Sequence, residues 1–174
     1  MSSAVGMAQA RGRPGRLWDQ PVYLRVAWVL LLILSAFPVA ASAADLVGIG
    51  KTGLPADHAA AFASVAGATW IAAKAASPGV ASYVTLLEYG YAVHEFVFGL
   101  LFLLIVAVPV RRGATWAWFA CWTVLIADIG YSLTFGRYDL TLLRQSLIAD
   151  ISLPILLLVQ IRRFFAAGSQ NGRL

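Results

Sequence analysis

The sequence predicts an all-α, polytopic membrane protein, a bundle of four transmembrane helices. Apolar residues make up 60% of the chain and fall in runs rather than in alternating or heptad patterns. Each run has the roughly 20 residues that cross about 30 Å of hydrocarbon as a helix. Only 12% of the residues are charged, about half the fraction of a typical soluble domain. Because a membrane offers no water to the backbone, each run must form a helix that satisfies its own hydrogen bonds.

One membrane domain accounts for most of the 174 residues. Residues 1–20 are polar and arginine-rich and are predicted to be a mobile cytoplasmic tail, residues 21–165 the four-helix domain, and residues 166–174 a second cytoplasmic tail. The spans are predicted at about 22–44, 80–110, 114–135 and 140–161. The first span is also compatible with a cleaved signal peptide, because Ala41-Ser42-Ala43 resembles a cleavage site. Its length and the long tail before it favour a retained helix.

Residues 45–79 are the only long connection between spans and form the predicted outer loop. Their middle, residues 56–76, is rich in alanine with larger residues at helical spacing, which predicts one short helix on the outer membrane surface. Pro55 suits a helix start, and Ser77-Pro78-Gly79 suits its end. A flexible alanine-rich loop is the alternative. His58, in this loop, is expected to be exposed.

Basic residues flank the spans asymmetrically. The N-terminal tail with Arg25, the 111–112 turn and the C-terminal tail hold nine arginines. The remaining basic residues are Lys51, Lys74, Arg137 and Arg144. The positive-inside rule then predicts that both termini are cytoplasmic, which requires an even number of spans. Tryptophans near the segment ends predict an aromatic belt: Trp18, Trp28, Trp116, Trp118 and Trp122.

Several ionisable residues lie inside the apolar runs, mostly toward the predicted outer side. A carboxylate near the bilayer centre costs about 2.5–3.5 kcal/mol, so several in one bundle need partners or a function. At helical spacing, the acids of the second, third and fourth spans fall on stripes that are expected to face each other. The residues predicted to line an outward-facing polar cavity are Glu88, Tyr91, His94, Glu95, Asp128, Tyr131, Arg144 and Asp150.

Two residues of the fourth span carry further expectations. Arg144 lies about 120° from Asp150 around the helix, and its alternative partners are Asp139 and Glu88. Pro154 removes the hydrogen bond to the carbonyl of Asp150, which places a freed backbone oxygen beside a carboxylate. Such broken helices coordinate ions in several transporters. An ordinary proline kink is the alternative interpretation.

The residue inventory argues against several functional classes. Cys121 is the single cysteine, so the chain has no intrachain disulfide and no CxxC redox pair. The basic residues cluster beside the spans, so no nucleic-acid partner is expected. No metal and no cofactor are expected, because the adjacent His94 and Glu95 do not share a helix face and only one histidine lies in a span.

Two sequence features carry a family resemblance. The turn Arg111-Arg112-Gly113, followed by Trp116-Ala117-Trp118 and Trp122, resembles a turn of small bacterial four-helix integral membrane proteins of unknown function. The stretch from Trp70 to Ser77-Pro78-Gly79-Val80-Ala81-Ser82-Tyr83 is similar to the same group. The resemblance implies four helices, a retained first helix and a bacterial inner membrane, and it transfers no catalytic residues. The arrangement also resembles, more faintly, sterol-isomerase-type bundles, without a motif that matches residue by residue.

The predicted function is that of a membrane protein whose outward-facing cavity binds, or helps to move, an ion, a proton or a small amphiphile. Glu95 and Asp128 are expected to bind a cation or polar headgroup, and Asp150 to be the buried proton-sensitive acid. One alternative is a membrane enzyme acting on a lipid or isoprenoid, with Glu95 or Asp128 as general acid and His94 as base. Another is a structural subunit whose polar groups only hold helices together. The expected partners are the lipid bilayer and a homo-oligomer or larger membrane complex.

Overall fold

A computed structural model describes residues 20–165, which fold as a bundle of helices. Apart from Gln20 the two predicted tails, residues 1–20 and 166–174, lie outside the described residues, and so does Trp18. The helices are α1 (Val22–Thr52), α2 (His58–Ala66), α3 (Trp70–Ala76), α4 (Pro78–Ile105, extended by a π-helical segment Val106–Val110), α5 (Thr115–Thr134), α6 (Leu140–Val159) and α7 (Ile161–Phe165).

Four of these helices are long and apolar enough to cross a membrane, namely α1, α4 with its π-helical segment, α5 and α6. The prediction of an all-helical chain with four candidate spans is therefore confirmed for the described part. The pair α2 and α3, bent by 58°, meets the same criteria only when counted as one broken or re-entrant span. Helix α1 packs along α4 and α5 packs along α6, and contacts of α6 with α1 and of α4 with α5 close the bundle.

The bundle has two ends that differ in packing. The termini half contains the start of α1, the turn at residues 111–113 and α7, and the loop half contains residues 53–77 and the turn at residues 135–139. The core of the termini half is formed by Trp28, Leu31, Phe102, Val106, Val110, Ala117, Trp118, Cys121, Val124, Leu153, Leu157 and Phe164. These side chains come from every spanning helix, so this half is tightly packed across the whole bundle.

Two tryptophans tie helices together inside the termini half. The Trp28 indole N–H donates to the Val106 carbonyl at 3.0 Å, where Pro109 and the π-helical turn disturb the regular hydrogen-bond ladder. The Trp118 indole N–H donates to the Leu157 carbonyl, also at 3.0 Å, near the end of α6. Each indole both fills volume and satisfies a carbonyl at a helix end.

Helices α1 and α4 are in close contact where Gly99 faces Pro38. A Cβ added to Gly99 would lie 2.9 Å from the Pro38 Cβ and 3.0 Å from the Val39 backbone nitrogen. In a membrane, helix association depends on such close van der Waals packing, because lipid tails are as apolar as the side chains. The missing side chain of Gly99 therefore sets the distance between these two helices.

The loop half is covered by residues that follow α1. Gly53 ends α1 in the left-handed conformation, with φ of 84°, and its carbonyl accepts a hydrogen bond from Thr85 Oγ1 of α4 at 2.8 Å. The Trp70 indole N–H and the Lys74 ammonium both donate to the Thr52 carbonyl at 2.8 Å. The start of α3 is thereby fastened to the end of α1.

The ends of the elements differ from the prediction in two places. Helix α1 continues to Thr52 rather than ending near residue 44, because Asp45 faces the interior of the bundle instead of marking the exit from the membrane. The single helix expected over residues 56–76 is divided into α2 and α3 by Gly67, which adopts a left-handed conformation with φ of 66°.

The aromatic belt prediction does not describe all of the tryptophans. Trp28 and Trp118 are buried, each 8% exposed, and belong to the core because their indoles hydrogen-bond to neighbouring helices. Trp116 is 60% exposed, as a belt residue would be. Trp122 packs beside the core, and its indole nitrogen is buried without a partner among residues 20–165.

Candidate functional site

A cavity of about 940 Å³ occupies the loop half of the bundle, between α1, α4, α5 and α6. It exists because many of the residues that face it are small, so the four helices enclose space instead of interdigitating. The small residues of the wall are Ala41, Ala44, Gly48, Ala56, Ala127, Gly130, Ser146 and Ala149. Residues 56–58, at the start of α2, close part of its rim.

The deep end of the cavity is apolar. Phe102, Val124 and Leu153 line it and also belong to the packed core of the termini half, so the core forms its floor. Leu34 and Phe98 extend the apolar wall above this floor. A hydrocarbon chain or ring placed here would contact only apolar groups.

The opposite end of the cavity is acidic. Asp45 of α1, Glu95 of α4 and Asp128 of α5 line it and are half-buried, and the exposed Asp57 lies at the rim. No lysine or arginine lines the cavity within residues 20–165. In that same part of the chain the one salt bridge joins His58 to Glu88, so Asp45, Glu95, Asp128 and Asp57 form no salt bridge there. Uncompensated carboxylates in a half-buried site attract cations.

His58 connects the start of α2 to two spanning helices. It is buried, 6% exposed, and its Nδ1 lies 2.9 Å from Glu88 Oε2 while its Nε2 lies 3.5 Å from Tyr131 Oη. The imidazole also stacks on Phe135, with ring centroids 5.8 Å apart and planes inclined by 9°. The expectation that His58 is exposed is therefore wrong, because Glu88 and the aromatic groups of α4 and α5 hold it inside.

These contacts shift the pKa of His58. Burial alone would lower its pKa, but the hydrogen bond to Glu88 and the negative charges of Glu88, Asp57 and Asp45 outweigh that effect and raise the pKa above its usual value. When His58 is protonated, its imidazolium and the Glu88 carboxylate form a charge-assisted pair at the rim of the cavity.

Aromatic rings form one side of the cavity beside the acids. Tyr91 of α4 and Tyr131 of α5 lie with centroids 6.5 Å apart and planes inclined by 17°. Phe135 stacks on Tyr131 at 5.0 Å, and His58 lies 5.9 Å from Tyr91. A cluster of mutually contacting aromatic rings therefore lines the cavity next to the carboxylates.

The structure places five of the predicted site residues on the cavity wall: Tyr91, His94, Glu95, Asp128 and Tyr131. Among them, His94 is exposed and its Nδ1–H donates to the Gly90 carbonyl of its own helix at 2.7 Å. The remaining four lie on α4 and α5, as their helical stripes predict.

Three predicted residues do not line the cavity. Glu88 lies one turn beyond it and binds His58. Asp150 turns toward α5, where it accepts a hydrogen bond from Ser132 Oγ at 2.6 Å, and its other oxygen is buried without a partner among residues 20–165. The wall of α6 is instead formed by Leu142, Gln145, Ser146, Ala149 and Leu153, which share a different stripe of the helix.

Arg144 pairs with neither of its expected partners. It is exposed and takes part in no salt bridge within the described chain. Asp139 instead caps the start of α6 by accepting from the Leu142 and Thr141 backbone N–H groups, at 3.0 and 2.6 Å. These N–H groups stabilise the carboxylate and lower the pKa of Asp139.

Sequence reasoning missed three residues of the site: Asp45, Asp57 and His58. A signal for Asp45 was present, since Pro38, Ala41, Asp45 and Gly48 recur at the spacing of one helix face and all line the cavity. That signal becomes visible only when α1 is extended past residue 44. The sequence around His58 has no comparable pattern, because the burial of His58 depends on contacts with residues of other helices.

The acids of the cavity are spread over three helices and do not converge on a point. Within residues 20–165, no group of three histidine, cysteine, aspartate or glutamate side chains is arranged to hold a metal ion. The site is better described as an amphipathic chamber, with an apolar floor, an aromatic side and an acidic rim. Comparison with family models, with curated proteins and with solved structures found no match to this chain.

Proposed function

We propose that this chain is an integral membrane protein that binds a small amphiphile in the cavity between its four spans. The observation that carries the proposal is the polarity of the cavity, which is apolar at its floor and acidic at its rim. Its volume of about 940 Å³ lies within the range of pockets that enclose small-molecule ligands, roughly 300–1,000 Å³. A proton or inorganic ion alone would not require the apolar part.

The arrangement of the acids supports binding rather than a purely structural role. Acids that only join helices would be hydrogen-bonded to neighbouring spans, as Asp150 is to Ser132. Asp45, Glu95 and Asp128 instead face the cavity, where they are available to a ligand. Interhelical hydrogen bonds contribute only about 0.6 kcal/mol on average in membranes. If the three acids only joined helices, these bonds would therefore offset little of the free energy needed to insert the acids into the membrane.

The contacts of His94 favour binding over catalysis. The alternative enzyme on a lipid or isoprenoid requires His94 as a base, and donation of its Nδ1–H to the Gly90 carbonyl leaves Nε2 as the basic nitrogen. The ring is exposed, however, and within residues 20–165 it makes no hydrogen bond to Glu95 or Asp128 that would position it as their catalytic partner. Binding, or delivery of the bound amphiphile to a partner complex, needs no such group.

The positive-inside rule supports an orientation in which the loop half faces outward and both termini are cytoplasmic. In that orientation the acidic end of the cavity lies in the outer half of the membrane and the apolar floor lies nearer its middle. An amphiphile from the outer leaflet would then enter the cavity with its polar group on the side of the outer interface. A bacterial inner membrane suits the resemblance described above.

Blocking the cavity tests the proposal. Ala149→Phe introduces a large side chain at a wall position, whereas Ile148→Phe adds the same ring at a neighbouring residue that is 64% exposed. We expect the wild type and Ile148→Phe to retain a single-chain amphiphile in native mass spectrometry, and Ala149→Phe to lose it. Equal retention by both variants, each folded by thermal unfolding, would show that this cavity is not the binding site.

A further inference from the structure

The ligand of the cavity has chemical requirements at both of its ends. The deep end offers contact only to apolar groups such as Phe102, Val124 and Leu153, so it accepts hydrocarbon. The rim offers carboxylates on three different helices and no lysine or arginine within residues 20–165. An anionic headgroup would be repelled there, and a neutral one would leave the acids uncompensated. Only a headgroup with positive charge complements the rim.

The geometry also limits the size of that positive group. The carboxylates surround a wide chamber and, within the described residues, do not converge as the ligands of a metal ion do. A metal ion would also leave the apolar floor empty. A bulky organic cation, by contrast, is large enough to approach several of these acids at once.

The aromatic side of the chamber adds a second mode of cation recognition. Tyr91 and Tyr131 stand nearly parallel on adjacent helices and both line the cavity. Organic ammonium groups bind to the faces of tyrosine rings through the ring quadrupole, most strongly where the site is shielded from water. Ring faces beside carboxylates are a combination that suits a substituted amine better than a sugar or a hydroxyl headgroup.

We infer that the cavity takes a cationic amphiphile, with an amine or quaternary ammonium head between Asp45, Glu95 and Asp128 and a hydrocarbon body on the apolar floor. This inference rests on the proposed function, because it names the ligand class of the same cavity. The shared chemistry is the ammonium group, which a free hydrophobic amine or the headgroup of a membrane lipid can supply.

Matched ligands test the charge without altering the protein. The first probe is decyltrimethylammonium, and the second is its neutral isostere with a tert-butyl group in place of the trimethylammonium. Both are titrated into wild-type protein in neutral maltoside micelles, with empty micelles as the blank. We expect the cationic probe to bind at least about tenfold more tightly than the isostere. Equal affinity would overturn the inference but leave the proposed function standing, and binding of neither probe would remove both.

Variants then assign the charge preference to the rim. Glu95→Gln and Asp128→Asn should each reduce the preference for the cationic probe several-fold while leaving the affinity for the isostere unchanged. Asp150→Asn is the matched control, because Asp150 is bound to Ser132 and does not line the cavity. A preference that persists in both rim variants, or that falls equally in the control, would contradict the assignment. Displacement of the probe by short-chain phosphatidylcholine would identify a lipid headgroup as the source, and failure to displace it a free amine.

Discussion

The two halves of the bundle are built from the same four spanning helices but are packed in opposite ways. In the termini half, Trp28 and Trp118 and large aliphatic residues interdigitate, and fully buried residues such as Leu157 leave no space between helices. In the loop half many of the wall residues are small, others are acidic or aromatic, and a cavity of about 940 Å³ lies between the helices. The cavity is therefore not a general failure to pack, since the same helices pack closely at the other end.

The comparison indicates how a small bundle can hold an open site. A cavity forfeits the van der Waals contacts of its lining, and half-buried acids add a further cost. The close contact of Gly99 with Pro38 at the cavity wall, and the indole hydrogen bonds of Trp28 and Trp118 in the termini half, hold the helices together. Stability is thus concentrated in one half, which leaves the other free to be shaped for a ligand.

Replacing an alanine by a larger residue in each half should give the largest difference in stability between the two halves. Ala117 is fully buried in the termini half, so Ala117→Leu should overpack the core and lower the free energy of unfolding by about 2–3 kcal/mol. Ala149 faces the cavity of the loop half, so Ala149→Leu should change it by less than about 0.5 kcal/mol. Unfolding of the purified proteins in mixed micelles with increasing dodecyl sulfate measures both. Equal destabilisation would mean that the loop half is as closely packed as the termini half.

Removing an indole N–H should have the next largest effect. Trp118→Phe deletes the donor to the Leu157 carbonyl, and we expect a loss of about 1–2 kcal/mol from the missing hydrogen bond and the smaller ring. Trp122→Phe is the control on the same helix, since the buried Trp122 nitrogen has no partner among residues 20–165. The control should be neutral or slightly stabilising. If the two changes cost the same, the indole hydrogen bonds do not anchor the termini half.

Hydropathy and helical periodicity predict the spans and many of the inward-facing residues, because both depend only on residues that are close together in the sequence. Spans of the required length and polarity are visible in any window of the sequence, and the stripes of Tyr91, Glu95, Asp128 and Tyr131 follow from helix geometry alone. Of the three predicted stripes, those of α4 and α5 contribute these four residues to the cavity wall, whereas Asp150 of the third stripe does not line it. At this interface, the helix faces expected from the residue spacing are the faces that the two helices turn toward each other in the fold.

The residues that were missed or misplaced depend on tertiary contacts. Asp45 falls just beyond the first predicted span, because a charged residue ends an apolar run in the sequence even where a polar interior receives it in the fold. His58 is buried by partners that are 30 and 73 residues away along the chain, so no local pattern reports its position. Asp150 and Arg144 lie on α6 near the border between two of its faces. Because successive residues of a helix are rotated by about 100°, a small rotation of α6 decides which neighbouring helix each side chain contacts.

The smallest expected effect concerns the cover of the loop half and its dependence on pH. The groups that face His58 are Glu88 and Tyr91 on α4, Tyr131 and Phe135 on α5, and the nearby Asp45 and Asp57. Because the pKa of His58 is raised in the folded protein, its stabilising contribution is complete below the pKa of the unfolded state. That contribution is lost as the pH rises through the folded-state pKa.

We therefore expect residues 54–66 to open more often as the pH is raised from about 6, which lies below the ordinary pKa of histidine, through the raised pKa of His58. Amide hydrogen exchange, corrected for its intrinsic pH dependence, should show protection falling by a factor of about five, the equivalent of about 1 kcal/mol for one charge-assisted hydrogen bond. Glu88→Gln should reduce this pH dependence, because the imidazolium loses its hydrogen-bonded carboxylate and only the charges of Asp57 and Asp45 remain. His94→Asn should preserve it, since His94 bonds only to the Gly90 carbonyl. Protection in the termini half should not change with pH in any of these proteins, and a parallel loss there would mean that the two halves open as one unit.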